Sequence, residues 1–93
     1  MRDYELVLVV DPDLTPEKQK KLIAQIKKII EEFKGRVAKI DEWGKKELSY
    51  PIEKKNLGYY FLLTTQLPEK KISDFDRKLK LEKGILRYLL VRR

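Results

Sequence analysis

The sequence predicts an α+β protein of the ferredoxin-like class: a two-layer sandwich with a four-stranded antiparallel sheet and two helices on one face. Two observations carry the prediction. The hydrophobic period switches between two and three-to-four along the chain, giving the order β-α-β-β-α-β. Both helical stretches also have a single apolar stripe, so each needs a sheet to cover. Right-handed crossovers then put the first and third strands at the centre, the second and fourth at the edges, and leave the second sheet face open.

Tyr4–Val10 alternates Tyr4, Leu6, Leu8 and Val10 with Glu5, Val7 and Val9, a strand apolar on both faces and therefore central. Asp11-Pro12-Asp13 ends it as a turn. Thr15 suits an N-cap, Pro16 the first helical position and Glu17 the positive end of the helix dipole. Leu22, Ile23, Ile26, Ile29, Ile30 and Phe33 then form one helical stripe, which Gly35 is placed to stop. A basic amphipathic helix of this kind could instead lie on a membrane, but its place between two strands assigns it to the core.

Arg36–Glu42 is the second strand, alternating Val37 and Lys39 with Ala38 and Ile40. Leu48–Ile52 is extended, because Pro51 disfavours helix at Tyr50. Glu53–Leu57 is a polar connection and Gly58–Gln66 the third strand. Pro68–Leu81 spaces Ile72, Phe75 and Leu79 as a second helix, stopped by Gly84. Ile85–Val91 is the fourth strand. Leu6, Leu8, one of Tyr60 and Phe61, Leu86, Tyr88 and Leu90 are expected under the helices. Val7, Val9, Leu89 and one of Tyr59 and Tyr60 are expected on the open face.

A chain of 93 residues fits one domain, expected to span 1–93. It covers roughly 60–65% of its unfolded surface on folding. No stretch has the apolar length of a membrane span, and the start of the chain resembles neither a signal nor a transit peptide, so a cytoplasmic setting is expected. The sequence contains neither Cys nor His, which removes disulfides, thiol chemistry, the usual zinc sites and imidazole catalysis. The carboxylate pairs Asp11/Asp13, Glu31/Glu32, Asp41/Glu42 and Asp74/Asp76 sit in turns or on solvated faces, and the four glycines are isolated at element boundaries. No enzyme, cofactor, metal or small-molecule substrate is expected.

Charge points elsewhere. The net charge is +7, and residues 77–93 alone carry seven basic side chains against Glu82. Such a surface attracts polyanions in a salt-dependent way. The fold class hosts RNA-recognition modules that stack bases on third-strand aromatics, and Gly58–Leu63 echoes that motif. The echo breaks where Tyr60 replaces a small residue and Thr64 an aromatic one. A free-standing single-stranded RNA module using Tyr59 and Phe61 is therefore the second reading. An apolar open face favours a protein partner, with RNA held through its phosphates.

Trp43-Gly44-Lys45-Lys46-Glu47-Leu48-Ser49-Tyr50-Pro51-Ile52 is the most specific motif. Around it stand Met1-Arg2-Asp3-Tyr4-Glu5, Gly58-Tyr59-Tyr60, Leu67-Pro68-Glu69 and Ile85-Leu86-Arg87-Tyr88-Leu89-Leu90-Val91, in order and over essentially the whole chain. Together they resemble the bacterial small-subunit ribosomal protein six family. The resemblance implies a structural ribosomal protein with the ferredoxin-like fold. It would bind the central domain of the small-subunit ribosomal RNA, on the platform, as a heterodimer with small-subunit ribosomal protein eighteen. On that reading Arg2, Arg87, Arg92 and Arg93 contact phosphates, with Lys45 and Lys46 as second choices. Trp43, Tyr50, Ile52 and Tyr59 supply apolar area to the partner protein. Many members carry a further C-terminal tail, whereas this sequence stops at Arg93.

Overall fold

Helix α1 (Pro16–Glu32) begins where the sequence places it: the Thr15 hydroxyl accepts the Lys18 N–H at 3.2 Å, and Pro16 occupies the first turn. A cap of this type contributes about 1 kcal/mol. The computed structural model describes the backbone of residues 1–52 and 55–93 and the side chains of residues 1–48 and 56–93. The other elements are β1 (Arg2–Val10), β2 (Arg36–Ile52), β3 (Lys55–Leu67), a 3-10 turn (Glu69–Lys71) that leads into α2 (Ile72–Lys80), and β4 (Ile85–Arg92). The sheet order is β2-β3-β1-β4 with every neighbouring pair antiparallel, the expected ferredoxin-like arrangement.

The end of α1 differs from the expectation. The left-handed residue that stops the helix is Lys34, at φ 67°, not Gly35. The Lys34 N–H donates to the Glu31 carbonyl at 3.0 Å and the Gly35 N–H to the Ile30 carbonyl at 2.9 Å, the two bonds of a Schellman turn. Gly35 is needed for a different reason. A Cβ there would sit 2.6 Å from Leu67 Cδ2 and against the Gln66 carbonyl oxygen, so the turn lies directly on the end of β3.

The inner pair, β1 and β3, runs in unbroken register from Arg2 opposite Leu67 to Val10 opposite Tyr59. Partners in an antiparallel pair share a face, which settles the parity of β3. Phe61, opposite Leu8, lies under the helices, and Tyr60, opposite Val9, faces the open side. The outer strands are less regular. On β2, Ala38 and Trp43 are extra residues without an opposite number, so Val37 and Ile40 share the helix face instead of alternating. On β4 the extra residue is Leu86, between Arg87 opposite Val9 and Ile85 opposite Val10. Leu86 therefore does not join the core; Ile85, Tyr88 and Leu90 pack there.

The core lies between the sheet and both helices, around Leu6, Leu8, Leu63, Ile26, Ile29 and Phe75, all fully buried. Phe75 meets Phe33 edge to face with centroids 6.1 Å apart, which ties α2 to the last turn of α1. Buried Thr65 donates its hydroxyl to the Tyr4 carbonyl at 3.4 Å. Among the described residues no buried side-chain polar atom lacks a partner.

Candidate nucleic-acid and partner interfaces

The basic residues singled out in the sequence fall into two groups, at opposite ends of the sheet. Arg2 opens β1 and Arg92 closes β4 beside it, opposite Tyr4. Between them the 3-10 turn raises Glu69. Arg2 Nε donates to Glu69 Oε2 at 3.2 Å, and Arg92 Nη1 donates to Oε1 at 3.4 Å. Arg93 Nε pairs with Glu5 at 3.2 Å. Arg36 joins the same corner: its Nε donates to Gln66 Oε1 at 2.9 Å, and Gln66 in turn donates to Asp3 at 2.9 Å. The sequence does not single out Arg36, because only strand pairing brings it to this corner. These ion pairs are half-exposed, and such pairs are worth at most about 1 kcal/mol each. A phosphate can displace them cheaply.

The second group stands six to seven residues along β1, roughly 20 Å away at the usual rise per strand residue. Arg87 lies opposite Val9 on the open face. Lys46, opposite Gly58, shares that face, whereas Lys45, opposite Tyr59, turns to the helix side. Two adjacent lysines thus serve different surfaces.

Between the groups the open face is apolar. Strand register lines up Leu62, Val7 and Leu89 in one row and Tyr60 and Val9 in the next. Leu89 is 57% exposed and Val91 43%. Trp43, 46% exposed, stands on the β2 bulge, made possible by Gly44 at φ +84°. The Lys46 ammonium lies 5.7 Å from the centre of its ring. Tyr50 and Ile52, also expected to touch a partner, have side chains outside the described residues.

The base-stacking reading loses its platform. Tyr59 and Phe61 both face the helices; Phe61 is only 7% exposed, and the two rings lean on each other at 5.4 Å. The Tyr59 hydroxyl donates to Glu42 at 2.7 Å, and that bond, with burial and the Glu42 charge, raises its pKa. Among the described residues no cluster of acidic side chains could hold a metal ion.

The family model for ribosomal protein S6 matches residues 3–92. The chain belongs to that family. As a ribosomal protein S6 family member it is a structural protein and not an enzyme. It is 41% identical over 92 residues to small ribosomal subunit protein bS6 of Caldanaerobacter subterraneus, covering 99% of this chain and 97% of that one. The protein of the same name from Thermoanaerobacter pseudethanolicus gives the same identity and coverage. The crystal structure of 30S ribosomal protein S6 from Thermotoga maritima superposes with a TM-score of 0.91 at 28% identity, covering 99% of this chain and 87% of that one.

Proposed function

We propose that residues 1–93 act as one ribosomal domain that binds small-subunit ribosomal RNA together with small-subunit ribosomal protein eighteen, as a heterodimer in the cytoplasm. The observation that carries this reading is the open sheet face, apolar at Val7, Leu62 and Leu89, with Arg93 at one end and Arg87 and Lys46 at the other, while Arg2 and Arg92, opposite Leu67 and Tyr4, stand at the first end on the helix side. Apolar rows of that kind suit a protein partner, and Trp43 extends them along β2. Arg2, Arg92 and Arg93 would hold phosphates at one end, with Arg87 and Lys46 at the other. The basic groups contact the sugar–phosphate backbone and the partner supplies the remaining area, so the chain alone should hold RNA weakly. Membrane and small-molecule substrate have no part in this reading; among the described residues no helix is long and apolar enough to cross a membrane.

The test is a salt series of binding to a central-domain fragment of the small-subunit RNA, with and without ribosomal protein eighteen. Weak binding alone and strong, salt-sensitive binding with the partner is the expected outcome. Tight binding of the isolated chain to a short single-stranded RNA, unaffected by the partner, would overturn it.

A further inference from the structure

One sizeable cavity lies away from the open face. It is a groove of about 540 Å³ between α1 and the edge strand β2, on the helix side of the sheet. Its α1 wall runs from Pro16 through Lys20, Ile23 and Ala24 to Lys27, one continuous helical face. At 1.5 Å per residue that wall is about 16 Å long. Ile40 of β2 and Tyr59 and Phe61 of β3 form the floor and the opposite wall. The groove exists because the bulge at Ala38 turns Ile40 to the helix side, where α1 does not reach over it: Ile40 is 42% exposed.

Its rim is predominantly basic. Lys20 and Lys27 stand on the helix side and Lys45 on the strand side. Against three ammonium groups the lining has a single carboxylate, Glu42, already occupied by the Tyr59 hydroxyl at 2.7 Å. An apolar trough flanked by lysines on both sides is complementary to an amphipathic segment with apolar side chains on one face and carboxylates beside them. About eleven residues of helix match the length of the wall.

We propose that this α1–β2 groove docks an acidic amphipathic helix of a partner protein. Apolar side chains three and four residues apart enter between Ala24, Ile40 and Tyr59, and flanking carboxylates meet Lys20, Lys27 and Lys45. The site is separate from the open face and from the arginine corner, so it stands or falls independently of RNA binding there.

The experiment is a titration of the isotope-labelled chain, followed by amide NMR shifts, with a synthetic amphipathic peptide of about twelve residues bearing leucines flanked by glutamates. A peptide with lysines in place of the glutamates and a short single-stranded RNA form the other arms. Shifts confined to residues 16–27, 40–45 and 59–61 with the acidic peptide alone are expected. The double substitution Lys20→Glu/Lys27→Glu, at exposed helix positions, should weaken the acidic peptide about tenfold and admit the basic one. Equal response to both peptides, a stronger response of these residues to RNA, shifts centred on the open face, or none up to millimolar peptide would each overturn the proposal.

Discussion

The Tyr88 hydroxyl donates to the Asp76 carboxylate, fastening edge strand β4 to helix α2. It also lies 3.3 Å from the Asp76 carbonyl, and Lys80 pairs with the same carboxylate at 3.3 Å. Burial, then the bond to Asp76 and its charge, push the Tyr88 pKa up to about 12 from 10.0. The Tyr88 bond is also the main cause that lowers the Asp76 pKa. For Tyr88 the fold favours the protonated form, so its contribution is complete below pH 10.0 and is lost as pH rises towards about 12. For Asp76 the fold favours the ionised form, so its contribution is present above 3.8 and is lost as pH falls through the lower folded value. Urea midpoints of the parent chain should therefore drop between about pH 10 and pH 12, and Tyr88→Phe should flatten that part of the curve. An unchanged alkaline slope in the variant would remove Tyr88 as the cause.

The turn after α1 gives a pair of opposite outcomes. Lys34→Gly relieves a side chain held at positive φ and should stabilise by roughly 0.5–1 kcal/mol. Gly35→Ala, one residue on, drives a methyl group into the end of β3 and should cost about 2 kcal/mol or more. Denaturant unfolding of both variants distinguishes this from a turn in which Gly35 is the left-handed residue, where the Lys34 change would be destabilising.

Glu69 neutralises two arginines that the proposed RNA contact requires. Glu69→Gln should change stability by less than about 1 kcal/mol, since both of its ion pairs are half-exposed. It should raise affinity for the RNA fragment and steepen its salt dependence. Arg2→Ala and Arg92→Ala should each reduce the slope of log affinity against log salt by about one. Filter binding across a salt series reads all three.

Gly58 packs against the open face from within β3, and a Cβ there would collide with Val9 Cγ1 and stand 3.3 Å from Leu48 Cδ2. Gly58→Ala should destabilise by about 1–3 kcal/mol through overpacking. Because Val9 and Tyr60 share a row, the same change should also weaken partner binding. Calorimetry with ribosomal protein eighteen under conditions where the variant is folded measures the second effect separately from the first.

Most of the fold is legible in the sequence because its cues are local. Alternation marks β1, Thr15 and Pro16 mark the start of α1, and the order of elements leaves one ferredoxin-like topology. The features that escape depend on residues far apart in sequence. The extra residues Ala38, Trp43 and Leu86 arise from pairing with β3 and β1. Each flips the face of the residues beyond it, so alternation alone misplaces Leu86 and does not turn Ile40 towards α1. Gly35 reads as a helix stop until the approach of Leu67 is known. At the candidate site the sequence points to Arg2, Arg92 and Arg93, but that Glu69 spans two of them cannot be read from residues 67 positions apart. Lys45 and Lys46, neighbours in the motif, are separated only by the pleat.

The breaks in strand pairing have a further consequence. β1 and β3 match without interruption, while every described shift is carried by an outer strand, at Ala38, at Trp43 and between Glu47 and Ile52 on β2 and at Leu86 on β4. A bare outer strand is a template on which another copy of the same chain can add itself, and irregular ladders twist that template out of shape. The irregularities that hide Ile40 and Leu86 from a reading of the sequence therefore also protect the free chain from adding to itself through its rims. Its apolar face stays available for a different protein.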